Sequence, residues 1–476
     1  MLSSFADIPG LRVTVMGLGL HGGGLASALF FAARGAQVTV TDLRDESVLQ
    51  PVLERIRAFE AEQTGKSRVP PVRLVLGEHR LKDFSNADLV IKNPAVSPDS
   101  PYLEAARKHS VGVETDISIF LSLAGNPLLA VSGSKGKSTT ASAIHHCLRQ
   151  SRPGARLGGN ITVSPLSFLG EMAREDPVVL ELSSWQLADL AGKQLLKPRV
   201  SVMTRILPDH QDRYSGMEDY IADKKLLFRD QEPEGFAVFN AGDRYQDNFA
   251  AETAARVRYY AGRPLPPGQE GAFLRGRRGV LRLAGGEQEI FGSRLRVAGE
   301  HNRMNLLAAG LAAALFGPDA GSIRSSLESF PGIEHRLELF HEHEDVRFYN
   351  DSAATIPQAT RAALHSLDPP LVLIAGGTDK NLDFQGMGEA YRRAEAIVLL
   401  EGSATVKIRT LLDEEKIAYT GPWDTLDGAV REAIGLASPG AAILFSPGCA
   451  SFGMFLNEFD RGRKFKAAVR ALLADC

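Results

Sequence analysis

Short apolar runs, each closed by glycines and followed by an alanine- or leucine-rich stretch, recur three times along the 476-residue chain. Residues 11–16 lead into Gly17-Leu-Gly-Leu-His-Gly22, residues 127–132 into Gly133-Ser-Lys-Gly-Lys-Ser-Thr139, and residues 370–375 into Gly376-Gly-Thr-Asp-Lys380. Runs this short and rich in β-formers fit parallel strands covered on both faces. The stretches that follow, 25–33, 140–149 and 387–394, read as helices. Further strands are expected at 37–41, 177–180, 200–203 and 346–349, a helix at 217–228, and a β excursion over the glycine- and arginine-rich 263–292. The polar stretch 60–68 reads as a solvated linker or helix end. Alternating strand–helix units imply open parallel sheets, hence an α/β fold.

Turn residues break the pattern at Ala124-Gly-Asn-Pro127 and Phe330-Pro-Gly332. The expected organisation is therefore three domains, 1–125, 126–332 and 333–476, consistent with the chain length. Composition adds mainly exclusions. Lys+Arg 54 against Asp+Glu 57 gives a formal charge of -3, which offers no argument for a nucleic-acid partner. Cys147, Cys449 and Cys476 are too few and scattered for a disulfide framework or zinc site. With no export-like N-terminus and no apolar run of membrane length, the expectation is a soluble, cytoplasmic enzyme without a membrane partner.

The chemistry sits at the strand ends. Gly17-x-Gly-x-x-Gly22 follows a strand, opens a helix, and has Asp42 twenty residues after its last glycine. That context suits a nucleotide diphosphate at a helix N-terminus, with a tight structural turn as the alternative. In Gly133–Thr139 the backbone N–H groups of Gly133, Ser134, Lys135 and Gly136 would surround phosphate oxygens. Lys137 supplies a point charge, and Ser138 or Thr139 a hydroxyl for Mg²⁺. The loop is short of a full P-loop, because Val131 stands where the first glycine would fall. Glu181 closes a strand, the position from which such enzymes hold Mg²⁺, although alone such a residue is more often an ordinary surface carboxylate. His210 reads either as a metal ligand or as a loop cap. Lys224 reads by itself as a solvated helix lysine, Asp351 as a strand-end carboxylate facing a cleft, and Cys449 as a small packed residue.

The order of these motifs is more specific than any one of them. Gly133–Thr139, Gly158-Gly-Asn160, Glu181-Leu-Ser-Ser-Trp-Gln186, Asp209-His210, Lys224, Glu300-His-Asn302, His335-Arg336, Asn350-Asp-Ser352, Gly376-Gly-Thr-Asp-Lys380 and Ser446-Pro-Gly-Cys-Ala-Ser451 together resemble the Mur ligase family over nearly the whole chain. The resemblance implies an N-terminal Rossmann-like domain for a UDP-sugar, a central P-loop ATPase domain and a C-terminal Rossmann-like domain. It implies ATP-dependent amide ligation in peptidoglycan synthesis. The N-terminal glycines with Asp42 and the closing Cys-Ala-Ser most resemble members that add glutamate to UDP-N-acetylmuramoyl-L-alanine, with D-glutamate the first reading and L-glutamate the alternative. ATP and Mg²⁺ are the implied cofactors, and a monomer the implied state.

Carried over by residue, the resemblance gives Lys137, His210 and Lys224 catalytic roles, Lys224 as a carbamylated lysine. Ser138, Thr139, Glu181, His210 and Lys224 would hold Mg²⁺. Asn302, Asn305, Arg336 and Asp351 would grip ATP beside the phosphate loop. Gly19, Leu20, His21, Asp42, Arg44, Asn160, Ser183 and Gln186 would hold the UDP-substrate, and Thr355, Lys380, Ser451 and Phe452 the glutamate. The chain departs from the family pattern at Ala353, often lysine, at His21, often threonine, and in Asn457-Glu-Phe459, where an aromatic is displaced. A nicotinamide-dependent oxidoreductase would explain Gly17–Gly22 but not Lys137, Glu181 or His210. A folylpolyglutamate synthase would leave the N-terminal motif unused. An ATP-hydrolysing binding protein would not need Thr355, Lys380 and Ser451.

Overall fold

A computed structural model of the chain describes residues 2–20, 22–63, 69–161, 163–208, 214–451 and 453–474. The chain forms two compact units, Met1–Ile290 with Asn305–Arg324, and Phe291–Met304 with Ser325–Cys476. The first carries two sheets. Strands β1 (Arg12–Met16), β2 (Gln37–Asp42), β3 (Arg73–Leu76), β4 (Leu89–Lys92) and β5 (Gly112–Glu114) form a parallel sheet in the order β3-β2-β1-β4-β5. The chain leaves β1 toward β2 and returns across it to β4. The crevice at the carboxyl ends of β1 and β4 is thus a topological switch point, where open α/β sheets bind ligands.

The second sheet has β6 (Leu128–Ser132), β7 (Arg156–Gly159), β8 (Val178–Glu181), β9 (Val200–Met203), β10 (Phe236–Asn240) and β11 (Arg256–Ala261). It continues through β12 (Gly271–Arg275), β13 (Arg278–Leu283) and β14 (Gly286–Phe291), in the order β14-β13-β12-β11-β10-β9-β6-β8-β7. The expected β excursion is this edge, where β12 and β13 pair antiparallel. Central β6 and its neighbours β8 and β9 are buried along their whole length, as strands covered on both faces should be.

The second unit has β15 (Glu338–His343), β16 (Val346–Asn350), β17 (Leu371–Ala375), β18 (Ala396–Leu400), β19 (Thr420–Trp423) and β20 (Ala442–Phe445), ordered β15-β16-β20-β17-β18-β19. Its helices divide between the faces. Pro357–Ser366 and Ser403–Glu414 pack one core, while Leu426–Leu436 and Glu458–Ala474 pack the other. The expected helix at 387–394 shrinks to the single turn Gly388–Tyr391. Pro127, Pro177 and Pro370 lie just outside the strands they were expected to open, as residues without an N–H to donate. Among the described residues no helix is long and apolar enough to cross a membrane.

Candidate functional site

The phosphate loop joins β6 to the helix Lys137–Ser151. Gly133 has φ +140 and Gly136 φ +92, and a side chain at either would collide, with Thr204 Oγ1 at Gly133 and with Asn305 Oδ1 at Gly136. Both glycines are therefore required by close approach as well as by backbone conformation. Thr204 Oγ1, at the end of β9, donates to Ser132 O at 3.1 Å and Lys135 O at 2.8 Å, bracing the loop from beneath. Lys137 Nζ lies over the loop, donating to Gly133 O at 3.0 Å and Ser134 O at 2.9 Å. Ser138 and Thr139 are half-buried in the first helical turn.

Two residues whose isolated readings were bland prove to be deeply placed. Lys224 is 1% exposed, not a solvated helix lysine. Its Nζ donates to Ser132 Oγ at 3.1 Å and Gly133 O at 2.9 Å, so the amine sits directly against the loop. Glu181, likewise 1% exposed, is no surface carboxylate. Its Oε1 accepts from Asn160 Nδ2 at 2.9 Å, while Oε2 is buried with no hydrogen-bond partner among the described residues. An orphaned, buried carboxylate oxygen is costly unless a cation or water meets it, so this oxygen fits a Mg²⁺ ligand. Asp209, His210 and the neighbouring Gln211–Arg213 lie outside the described residues.

Lys137 and Lys224 open onto a cleft of about 410 Å³ that also reaches the switch point of the first sheet. Gly17, Gly19, Gly22, Asn160, Ser183, Gln186, Lys137 and Lys224 all line it. Asp42 is engaged internally. Its carboxylate accepts from Gly19 N at 3.1 Å, from Arg44 N and Nε at 3.0 Å each, and from Arg44 Nη2 at 2.9 Å. Asp42 thus fixes the glycine loop and holds Arg44 half-exposed beside it. Leu20 is exposed, and His21 lies outside the described residues. Ser183 and Gln186 form a capping box at the helix Ser184–Ala188, and both line the cleft.

In the second unit, Asp351 is buried, accepting from Leu337 N at 2.9 Å and from Ser446 Oγ at 2.7 Å. His335 and Leu337 carry positive φ, +66 and +46. The bond from Leu337 N to Asp351 therefore pins a strained turn on which Arg336 stays exposed. Burial pushes the Asp351 carboxyl up from 3.8 to about 7. The folded chain then holds this proton more tightly than the unfolded one. The stability tied to it is full below about pH 4 and lost as pH rises through about 7, with ~4 kcal/mol as the ceiling. Asp351→Asn keeps an acceptor for Leu337 and an amide for Ser446. Its melting temperature relative to wild type should rise progressively between about pH 4.5 and pH 8. A difference independent of pH would contradict the assignment.

Ser451 is buried and lines a second cleft of about 300 Å³, with Gly376, Gly377 and Thr378 after β17 and Glu401 and Gly402 after β18. Helices leaving β17 and β20 go to opposite faces, so this too is a switch point. Thr355 is half-buried and Lys380 exposed, neither of them lining that cleft; Phe452 lies outside the described residues. Asn302 belongs to this unit, its Nδ2 donating to Ala298 O at 2.7 Å, whereas Asn305 belongs to the first. Cys449 is fully buried and its thiol pushed up to about 12 by burial, as a packed, unreactive residue should be. Sequence reasoning missed Arg461, 1% exposed, which ties Ser352 to Cys449 through Nε–Ser352 Oγ at 3.0 Å and Nη1–Cys449 O at 3.0 Å. It also missed Lys92, which lines the larger cleft.

Comparison with known proteins gives a consistent set of matches. Residues 11–115 match the family model "Mur ligase MurD-like, N-terminal domain", residues 131–313 "Mur ligase middle domain" and residues 335–449 "Mur ligase, glutamate ligase domain". A UDP-N-acetylmuramoylalanine–D-glutamate ligase of Treponema pallidum is 41% identical, covering 98% of this chain and 99% of its own. Ligases of the same name from Roseiflexus sp. and Borreliella afzelii are 40% and 39% identical with the same coverage. Among solved structures, the UDP-N-acetylmuramate–alanine ligase of Thermotoga maritima aligns with TM-score 0.60 at 19% identity, over 97% of this chain and 99% of its own. At that identity the likeness speaks for the fold alone.

Proposed function

This chain belongs to the Mur ligase family of ATP-dependent amide ligases, and on that premise we propose that it joins D-glutamate to UDP-N-acetylmuramoyl-L-alanine in peptidoglycan synthesis, as a cytoplasmic monomer. The observation that carries this reading is the shared cleft, lined by Lys137 and Lys224 beside the phosphate loop and by the glycine loop of the first sheet. That space would serve both a transferable phosphoryl group and a nucleotide diphosphate. The near-full-length relatives supply the choice of D-glutamate through their names. The division proposed with it is three domains, 1–125, 126–332 and 333–476, a reading supported by the fall of one sheet within each.

A carboxylate at neutral pH is a poor electrophile. One oxygen of the alanyl carboxylate attacks the γ-phosphorus of ATP, ADP leaves, and an acyl phosphate results. The glutamate amine then attacks the acyl carbon, inorganic phosphate leaves with the C–O bond electrons, and the nitrogen loses its proton to solvent. The chain must hold anions close together, a task for fixed charges and backbone dipoles. Gly133, Ser134, Lys135 and Gly136 would supply backbone N–H groups at the N-terminus of the helix Lys137–Ser151. Lys137 would exchange its two carbonyl partners for phosphate oxygens. Mg²⁺ would be held by Ser138, Thr139, Glu181, His210 and a carbamylated Lys224, and supplies charge neutralisation at the phosphates when bound. Asn302, Asn305, Arg336 and Asp351 would hold the rest of ATP. Gly19, Leu20, His21, Asp42, Arg44, Asn160, Ser183 and Gln186 would hold the UDP-substrate.

Thr355, Lys380, Ser451 and Phe452 would receive glutamate, with Ser451 at the second unit's cleft. Lys380 is the cation of that set. A charge-assisted hydrogen bond to a carboxylate is worth ~1.5–3 kcal/mol, so Lys380→Ala should raise the KM for glutamate roughly tenfold or more. The KM for ATP should stay nearly unchanged. An unchanged glutamate dependence with a shifted ATP dependence would sink this assignment. The whole reading is tested by phosphate release from ATP with Mg²⁺ and UDP-N-acetylmuramoyl-L-alanine, comparing D-glutamate, L-glutamate and neither. Release stimulated by D-glutamate is expected; stimulation by L-glutamate alone, or by neither, would overturn it.

A further inference from the structure

Lys92 ends β4, in register with Met16, the residue before Gly17 on β1. It therefore stands at the first sheet's switch point beside the glycine loop, and it lines the 410 Å³ cleft. Its side chain is only 6% exposed, and its Nζ lies 2.7 Å from Asp189 Oδ2. An ammonium carries three donors. Among the described residues the bond to Asp189 is the one hydrogen bond the Lys92 ammonium makes. Two donors of a nearly buried cation are thus left for whatever occupies the cleft, and leaving them unmet there is costly.

Asp189 is not a spare counter-ion. It follows the helix Ser184–Ala188, whose capping box places Ser183 and Gln186 on the same cleft, and it fixes Lys92 from that side. The glycine loop and the N-terminus of the helix Gly23–Ala32 bring backbone donors to the space. Lys92 brings a full charge. A diphosphate at this switch point would meet both.

We propose that Lys92, held by Asp189, is a binding residue for the diphosphate of the nucleotide-sugar substrate. This deepens the function proposed above and rests on it. Charge-assisted hydrogen bonds to an anion in a partly dry cleft decide affinity, and loss of one lowers it by about tenfold or more. Asp189 bears on the diphosphate through Lys92. Removing the aspartate charge leaves the ammonium in need of an anion, so UDP affinity is kept or increased.

The test uses the full chain and UDP itself, which carries the diphosphate but neither sugar nor carboxylate. Calorimetric titration compares wild type, Lys92→Met and Asp189→Asn at one ionic strength, with KM values for the nucleotide-sugar and for ATP measured in parallel. Lys92→Met should weaken UDP about tenfold or more and raise the nucleotide-sugar KM similarly, leaving the ATP KM within about twofold. Asp189→Asn should bind UDP at least as tightly as wild type. Unchanged UDP affinity in Lys92→Met would overturn the proposal. So would equal weakening in both variants, because a merely structural ion pair predicts that symmetry. Should Lys92→Met not fold, Lys92→Gln, which keeps a donor for Asp189, is read by the same criteria. A wild-type chain that binds no UDP would defeat the underlying functional reading as well, and that failure is visible before any variant is examined.

Discussion

Lys137→Ala is expected to lower ligation by about 10²–10³-fold, the range for removing one preorganised group that meets charge developing in a transition state. The loss should not come from collapse of the phosphate loop. Gly133 and Gly136 set the loop backbone, and Thr204 braces it through Ser132 O and Lys135 O, none of which involves the Lys137 side chain. Lys137 itself bonds two loop carbonyls, contacts a phosphate would replace. The melting temperature of the variant should therefore stay near that of wild type while phosphate release falls. Ligation within about threefold of wild type would remove Lys137 from the reaction.

A loss of similar size, on the order of 10²-fold or more, is expected for Lys224→Ala, but with a different signature. Lys224 is buried against Ser132 Oγ and Gly133 O, at the edge of the cleft that Lys137 also lines. Carbamylation would turn its cationic nitrogen into an anionic oxygen donor, the kind Mg²⁺ prefers. Short carboxylates or raised bicarbonate should then restore part of the activity of the alanine variant, by returning an oxygen to the vacated volume. A lysine that only braces the loop predicts the same loss without rescue. Activity assays of Lys224→Ala across a series of formate, acetate and bicarbonate concentrations distinguish the two, and absence of any rescue would rule out the carbamate.

The fold was legible where local rules act. Strand–glycine–helix units announce themselves because buried parallel strands are short and apolar and because a turn against a helix N-terminus needs glycine. The three sheets follow from that pattern. What local pattern lacks is knowledge of the neighbour. Lys224 looks like a surface lysine along the helix Met217–Lys225, and only the loop after β6, some ninety residues earlier, makes it buried. Glu181 has the same difficulty, since its burial depends on Asn160 and the strand beside it. Asp42, expected among the UDP-substrate residues, also holds Gly19 and Arg44, a pairing with no sequence period.

Lys92 and Arg461 were invisible for that reason. Lys92 closes an apolar run, whereas Arg461 stands among other charged residues from Glu458 to Lys466, and their partners lie 97 and 109 residues away. Buried charge is expensive unless paired, so a lone cation between apolar positions is itself a weak signal of a distant acid or carbonyl. It names no partner. Of the helix expected at 387–394 only the turn Gly388–Tyr391 forms, capped at Arg392.

The central claim is that ATP activates the alanyl carboxylate by phosphorylating it. The most direct measurement follows ¹⁸O from that carboxylate, using UDP-N-acetylmuramoyl-L-alanine labelled in both carboxyl oxygens, with ATP, Mg²⁺ and D-glutamate. An acyl phosphate requires that the oxygen bonded to phosphorus leave with it. Mass analysis should therefore find one ¹⁸O in each released phosphate and one retained in the new amide. Unlabelled phosphate, with ligation proceeding, would contradict the account.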